Sequence, residues 1–133
     1  MRAFRGLLVW QQAMDLTRDC YRLTRTLTRE ERYGLCTQMQ RAAISVPANI
    51  AEGSGRGTRR DFIQFLRIAQ GSLRELETYL LLLPEIGLAR NEAVAPLLTK
   101  TESIARLLNR LIQSLTQTEP GNSPRPRRSP IQT

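Results

Sequence analysis

The chain has 133 residues, one domain by the usual prior of about 100 to 200 residues, and its 20 Lys and Arg outweigh 12 Asp and Glu to give a net charge of +8. With no histidine, that charge scarcely changes between about pH 5 and 8, and Ser-His and Cys-His nucleophile pairs, His-containing zinc sites and the Glu-x-x-His metal sites of ferritin-like bundles all fall away. Two cysteines, Cys20 and Cys36, without Cys-x-x-Cys spacing, are too few for a disulfide framework and read as small apolar residues of a reduced, intracellular protein.

The first ten residues carry charge but no apolar stretch of signal-peptide length, because Gln11, Gln12 and Asp15 follow at once. Val9, Ala13, Leu16, Cys20, Leu23 and Leu27 recur at alternating spacings of four and three, the apolar stripe of a first helix that stops near Leu27. Thr28 with Glu31 forms a capping box that starts a second helix. That helix carries Leu35, Met39, Ala42, Val46 and Ile50 and ends at Gly53, read as a left-handed terminator. Pro47 removes a backbone donor and crowds the carbonyl of residue 43, so a kink or break is expected between Ala43 and Val46.

A third helix begins around Arg59 behind the N-cap signal of Thr58 and Asp61. Its stripe of Phe62, Leu66, Ala69, Leu73, Leu76, Leu80 and Leu83 is unbroken, and Pro84 and Gly87 close it. The most apolar run, Tyr79 to Leu83, stops at Pro84, far short of the roughly 20 residues of a membrane span. Asn91 is the expected N-cap of a fourth helix with Val94, Leu97, Thr101, Ile104, Leu108, Leu111 and Leu115 along its seam. From Thr118 onward apolar periodicity is lost, so residues 1–117 are expected to fold and residues 118–133 to form a disordered Pro/Arg-rich tail. Short links between helices of similar length predict an all-α, up-down-up-down antiparallel four-helix bundle, soluble and cytoplasmic.

The stretch Tyr33 to Arg56, built around Ser45-Val46-Pro47-Ala48-Asn49-Ile50-Ala51-Glu52-Gly53, resembles the bacterial four-helix bundle proteins, also called 23S ribosomal RNA intervening-sequence proteins. Val9-Trp10-Gln11 with Ala13 and Leu16 resembles the family's opening. Phe62 to Leu66, followed by Ala69-Gln70-Gly71-Ser72-Leu73-Arg74-Glu75-Leu76-Glu77-Thr78, resembles its third-helix signature. Together these cover most of residues 8 to 88; Thr28-Arg29-Glu30 stands where many members have a Pro-containing turn. The resemblance implies a ring-like homo-oligomer, a pentamer. It also implies kinship with accessory proteins of diversity-generating retroelements, which partner a reverse transcriptase and bind nucleic acid.

Gly53 to Arg60 is a Gly-rich basic loop feeding a helix start, suited either to turning the chain or to holding a phosphate. Arg60, Arg67 and Arg74 recur every seven residues opposite the third helix's seam, and Arg18, Arg22, Arg25 and Arg29 form a second stripe. Both stripes read either as solvated or paired charge, with Asp15 and Asp19 as partners of the second, or as a nucleic-acid surface. The nucleic-acid candidates are Arg56, Arg59, Arg60, Arg67, Arg74, Arg18, Arg22 and Arg25. Arg41, Asn49, Glu52 and Glu75, with Ser45 and Ser72 beside them, read as a buried or intersubunit polar network, in which Arg41 neutralises an acid and Asn49 serves backbone groups freed by Pro47. Ile63, Phe65, Ile68, Leu82 and Ile86 widen the apolar surface of the third helix beyond one bundle's need, which points to a second buried face between copies.

The function expected from all this is a non-enzymatic oligomeric bundle that binds nucleic acid, RNA ahead of DNA, through arginines. The alternative is an adaptor that scaffolds a partner enzyme such as a reverse transcriptase. No catalytic residue, cofactor, metal or small-molecule substrate is expected.

Overall fold

The computed structural model describes residues 4–27, 30 and 32–117. The capping box of Thr28 and Glu31, Arg29 of the second stripe and the proposed tail at 118–133 lie outside them. Among the described residues the chain is all-α: α1 (Leu8–Thr24), α2 (Thr37–Ser54), α3 (Arg59–Glu85) and α4 (Asn91–Gln117). A short 3-10 turn precedes α1, and a π-helical turn, Arg32–Cys36, leads into α2.

Side-chain bonds between neighbours fix the directions. Thr17 meets Ala43, Cys20 meets Met39 and Gln40 meets Thr24, so α1 and α2 run antiparallel. Ser45 meets Ser72, Gln70 meets Asn109, and Gln12 with Asp19 meets Ser103 with Lys100, which closes the circuit from α2 through α3 and α4 back to α1. Each helix packs on the two beside it in chain order, as an up-down-up-down four-helix bundle requires.

The core follows the sequence stripes. Val9, Ala13, Leu16, Cys20, Leu23 and Leu27 are buried from α1 and its exit, Met39, Ala42, Val46 and Ile50 from α2, and Leu66, Ala69, Leu73, Leu76, Leu80 and Leu83 from α3. On α4 the seam departs from the expected heptad: Ile112 is buried, while Leu111 and Leu115 are only partly so. An α-helix has 3.6 residues per turn, so a strict 3.5-residue stripe drifts around it and the buried position moves by one. Both cysteines are buried and neither forms a disulfide, and burial pushes the Cys20 thiol up to about 12, with Cys36 adding to the shift. At ordinary pH it stays a protonated, apolar filler.

Four local expectations are corrected. First, α1 ends at Thr24 rather than near Leu27. The hydroxyls of Thr24 and Thr26 bond back to the carbonyls of Tyr21 and Leu23, which competes with continued helix. Second, Gly53 is not a left-handed terminator but a buried residue inside α2; the left-handed residue of that link is Gly57, with φ of +94°. Third, Arg90 rather than Asn91 precedes the first turn of α4, its carbonyl accepting from the amides of Ala93 and Val94. The start of α3 is as expected: the Thr58 hydroxyl accepts from the Asp61 amide at 3.1 Å. Its end is a Schellman turn, in which Gly87 (φ +79°) donates to Pro84 and Leu88 donates to Leu83.

The fourth correction concerns Pro47: of the kink or break expected there, the break does not occur, because the proline sits inside an uninterrupted α2. A proline leaves the carbonyl four residues earlier without its amide. Here that carbonyl belongs to Ala43, and the Thr17 hydroxyl of α1 lies 3.1 Å from it while also 2.8 Å from its own Ala13 carbonyl. Asn49, expected to serve this role, instead donates to the carbonyl and hydroxyl of Ser45 at 2.8 and 2.9 Å. Thr17→Val should therefore destabilise the protein by about 1 to 2 kcal/mol, the cost of an orphaned buried carbonyl. In a Pro47→Ala background, where residue 47 regains an amide, the loss should fall to less than half; equal losses in the two denaturation series would show that the hydroxyl does not satisfy that carbonyl.

Candidate nucleic-acid interface

Antiparallel packing turns chain position into position along the bundle. Ser45 and Ser72, 2.8 Å apart, mark its middle. On one side, together with the start of α1 and its Asp15 at the boundary, lie the end of α2, the start of α3 and the end of α4. The latter three bring together Arg56, Arg59, Arg60, Arg67, Arg106 and Arg110, and the carboxylates those three elements contribute to this half are Glu52 and Asp61. The other half holds Asp19, Glu75, Glu77, Glu85, Glu92 and Glu102 among its cations. The bundle is thus charged unevenly along its length, with a strongly basic half and a mixed one.

The sequence stripes divide across that boundary. Arg59 is half-buried, Arg60 and Arg67 are exposed, and none of them makes an ion pair among the described residues. Arg56 places its Nε 3.3 Å from Glu52 and its guanidinium 4.8 Å from the centre of the Phe65 ring, which ties the exit of α2 to α3. Arg74 lies just past the middle and pairs with Glu77 at 3.2 Å. Arg18, Arg22 and Arg25 ride on α1 from mid-bundle into the mixed half. Arg18 pairs with Asp15, Arg22 with Asp19 at 2.9 Å, and Asp19 also takes Lys100 from α4. Arg106 and Arg110 were missed from sequence. Their i,i+4 spacing on the outer side of the Val94 to Leu108 seam, with the antiparallel order, was the available signal.

The loop between α2 and α3 serves the turn. Gly57 supplies the left-handed backbone, Thr58 takes the Asp61 amide, and the Asp61 carboxylate stands in the helix's first turn, where an anion is favoured. The polar set is joined in part, since Asn49, Ser45 and Ser72 link α2 to α3, while its charged members are separated within one chain. Glu52 goes to Arg56, Asn49 to Ser45, and Glu75 accepts from the Tyr79 hydroxyl at 2.9 Å, which raises that phenol above its ordinary value. Arg41 is exposed and makes no ion pair among the described residues.

A groove of about 630 Å³ runs between α3 and α4. Arg67 and Arg74 stand on one lip and Arg106 on the other. Leu73, Thr101 and Ala105 lie beneath, and Gln70 donates to Asn109 across it at 2.8 Å. Outside the core, Ile44 of α2, Ile68 and Leu82 of α3 and Ile86 just after it are 40 to 52% exposed. Ile63 and Phe65, expected among them, are partly buried. No group of three His, Cys, Asp or Glu among the described residues is placed to hold a metal, and none of their helices is long and apolar enough to cross a membrane.

Fold and surface together define an all-α helical-bundle protein with one basic half. The chain belongs to the 23S rRNA-intervening sequence protein family, whose model matches residues 5–110 and so takes in every arginine of that half. Among solved structures it is similar to a protein of unknown function from the S23 ribosomal protein family of Bacteroides thetaiotaomicron. The two are 26% identical with a TM-score of 0.74, over 80% of this chain and 96% of the other. No curated protein matches it.

Proposed function

We propose that this protein is a non-enzymatic, homo-oligomeric bundle that binds nucleic acid, RNA ahead of DNA, through its basic half. The observation that carries the reading is the gathering of Arg56, Arg59, Arg60, Arg67, Arg106 and Arg110 against only Glu52 and Asp61 on the same three elements. Such a surface attracts phosphate through the summed field, and its affinity falls with salt as counterions are released. The exposed Ile44, Ile68, Leu82 and Ile86 support burial against further copies, and the family resemblance makes a pentameric ring the form to test. Repetition around a ring would multiply weak contacts.

Fluorescence anisotropy of structured RNA, single-stranded RNA and duplex DNA against nuclease-treated protein tests this at about 50 and 200 mM salt. Saturable binding that weakens steeply with salt is expected, with RNA ranked first. No binding at the lower salt would leave the second reading, favoured by the same exposed apolar residues: an adaptor holding a partner enzyme. Light scattering reads the oligomer separately, and a monomer at micromolar concentration would remove the ring.

A further inference from the structure

We infer that the groove between α3 and α4 is the seat of a single strand of nucleic acid, its phosphates along Arg67 and Arg106 and its bases turned toward Leu73 and Ala105. This rests on the nucleic-acid reading above and narrows it to one strand and one place. A groove of about 630 Å³ between two adjacent packed helices is too small to admit the two backbones of a duplex. A duplex could lie across its mouth but not enter it. Arg67 and Arg106 stand on opposite lips, offset along the groove, without a carboxylate partner among the described residues, so neither has an ion pair to give up.

The groove's polar groups suit bases better than a peptide. The Gln70–Asn109 bond uses one donor and one acceptor of two amides that each offer two donors and a two-lone-pair oxygen. The remainder can meet base edges. At the far end Glu77 and Glu102 repel phosphate, so the strand enters from the basic half and stops short of them. An amphipathic acidic helix needs apolar anchors in its groove; here the exposed Ile44, Ile68, Leu82 and Ile86 all stand outside it. The groove also has no aromatic lining. Affinity there should come from phosphate and be strongly salt-dependent.

Two plugs test the inference in the full chain. Ala105→Leu fills the floor. Gly71→Leu fills the α3 lip, where an added Cβ meets nothing within 4 Å. Leucine is a strong helix former, so the helix itself gains at residue 71. With a labelled oligouridylate of about 12 nucleotides, a length suited to one strand-binding site, each plug should weaken binding about tenfold. A duplex RNA of the same length should bind within about twofold of the wild-type protein. Arg106→Gln, which changes no buried group, should lower the slope of log K against log salt by about 0.7 and carries the test if a plug loses helicity by circular dichroism.

Single-strand binding that survives both plugs and keeps its slope in Arg106→Gln overturns the groove while leaving nucleic-acid binding intact. Wild-type protein that binds neither oligonucleotide overturns the broader reading as well. An acidic helical peptide that binds and is blocked by the plugs, where the oligouridylate does not bind, would make the occupant a protein segment and overturn the inference.

Discussion

Gly53→Ala should destabilise the bundle by about 2 kcal/mol, although alanine is the better helix former. A Cβ at residue 53 would sit 2.7 Å from the Cβ of Phe65, 3.0 Å from the Phe62 ring and 3.3 Å from the Phe62 carbonyl. The ring can swing aside; a Cβ and a carbonyl move only with their backbone. The end of α2 and the start of α3 must therefore separate, and the Arg56 stack on Phe65 goes with them. Gly71→Ala is the opposite case, a glycine inside α3 with open space around it, and should stabilise by about 0.5 to 1 kcal/mol. Urea denaturation at one fixed protein concentration reads both, since oligomer stability depends on concentration. A Gly53→Ala midpoint at or above that of the wild type would show that the two helices have room to spare.

That pair of glycines marks where the sequence was legible and where it was not. Apolar spacing located all four helices, because burying one stripe per helix is the dominant favourable term and leaves a period of 3.6. It placed Leu66 through Leu83 in the core without error. What it could not carry was contact between elements distant in the chain. Gly53 looked like a helix end because glycine usually is one; its real constraint is Phe65, twelve residues on. Pro47 looked like a break because its lost hydrogen bond is local, whereas the repair comes from Thr17 on another helix. The candidate site divides in the same way. Heptad spacing found Arg60, Arg67 and Arg74 on one outer stripe, but only the antiparallel order brings Arg106 and Arg110 beside them and carries Arg18, Arg22 and Arg25 away from that end.

Replacing Arg59, Arg60 and Arg67 with glutamine should reduce RNA affinity roughly 100- to 500-fold at about 0.1 M salt, the largest effect expected of any variant here. Each phosphate contact contributes about 0.7 to 0.9 to the salt slope, so one contact is worth roughly five- to eightfold at that salt and three multiply. Glutamine keeps much of the stem and nearly the helix propensity of arginine, and none of the three arginines makes an ion pair among the described residues. The fold should therefore be indifferent. The control is Arg18→Gln, Arg22→Gln and Arg25→Gln, which lowers the net charge of +8 by the same amount from the other end of α1. Exposed pairs such as Arg18 with Asp15 and Arg22 with Asp19 contribute little to stability, so this variant should fold too. Its affinity should stay within about threefold of the wild type, because screening over about 10 Å isolates the two ends from each other. With light scattering showing one oligomer size for all three proteins, a large gap between the triple variants locates binding on the basic half. Equal losses would mean that only the total charge matters, and that the gathering of arginines at one end has no part in recognition.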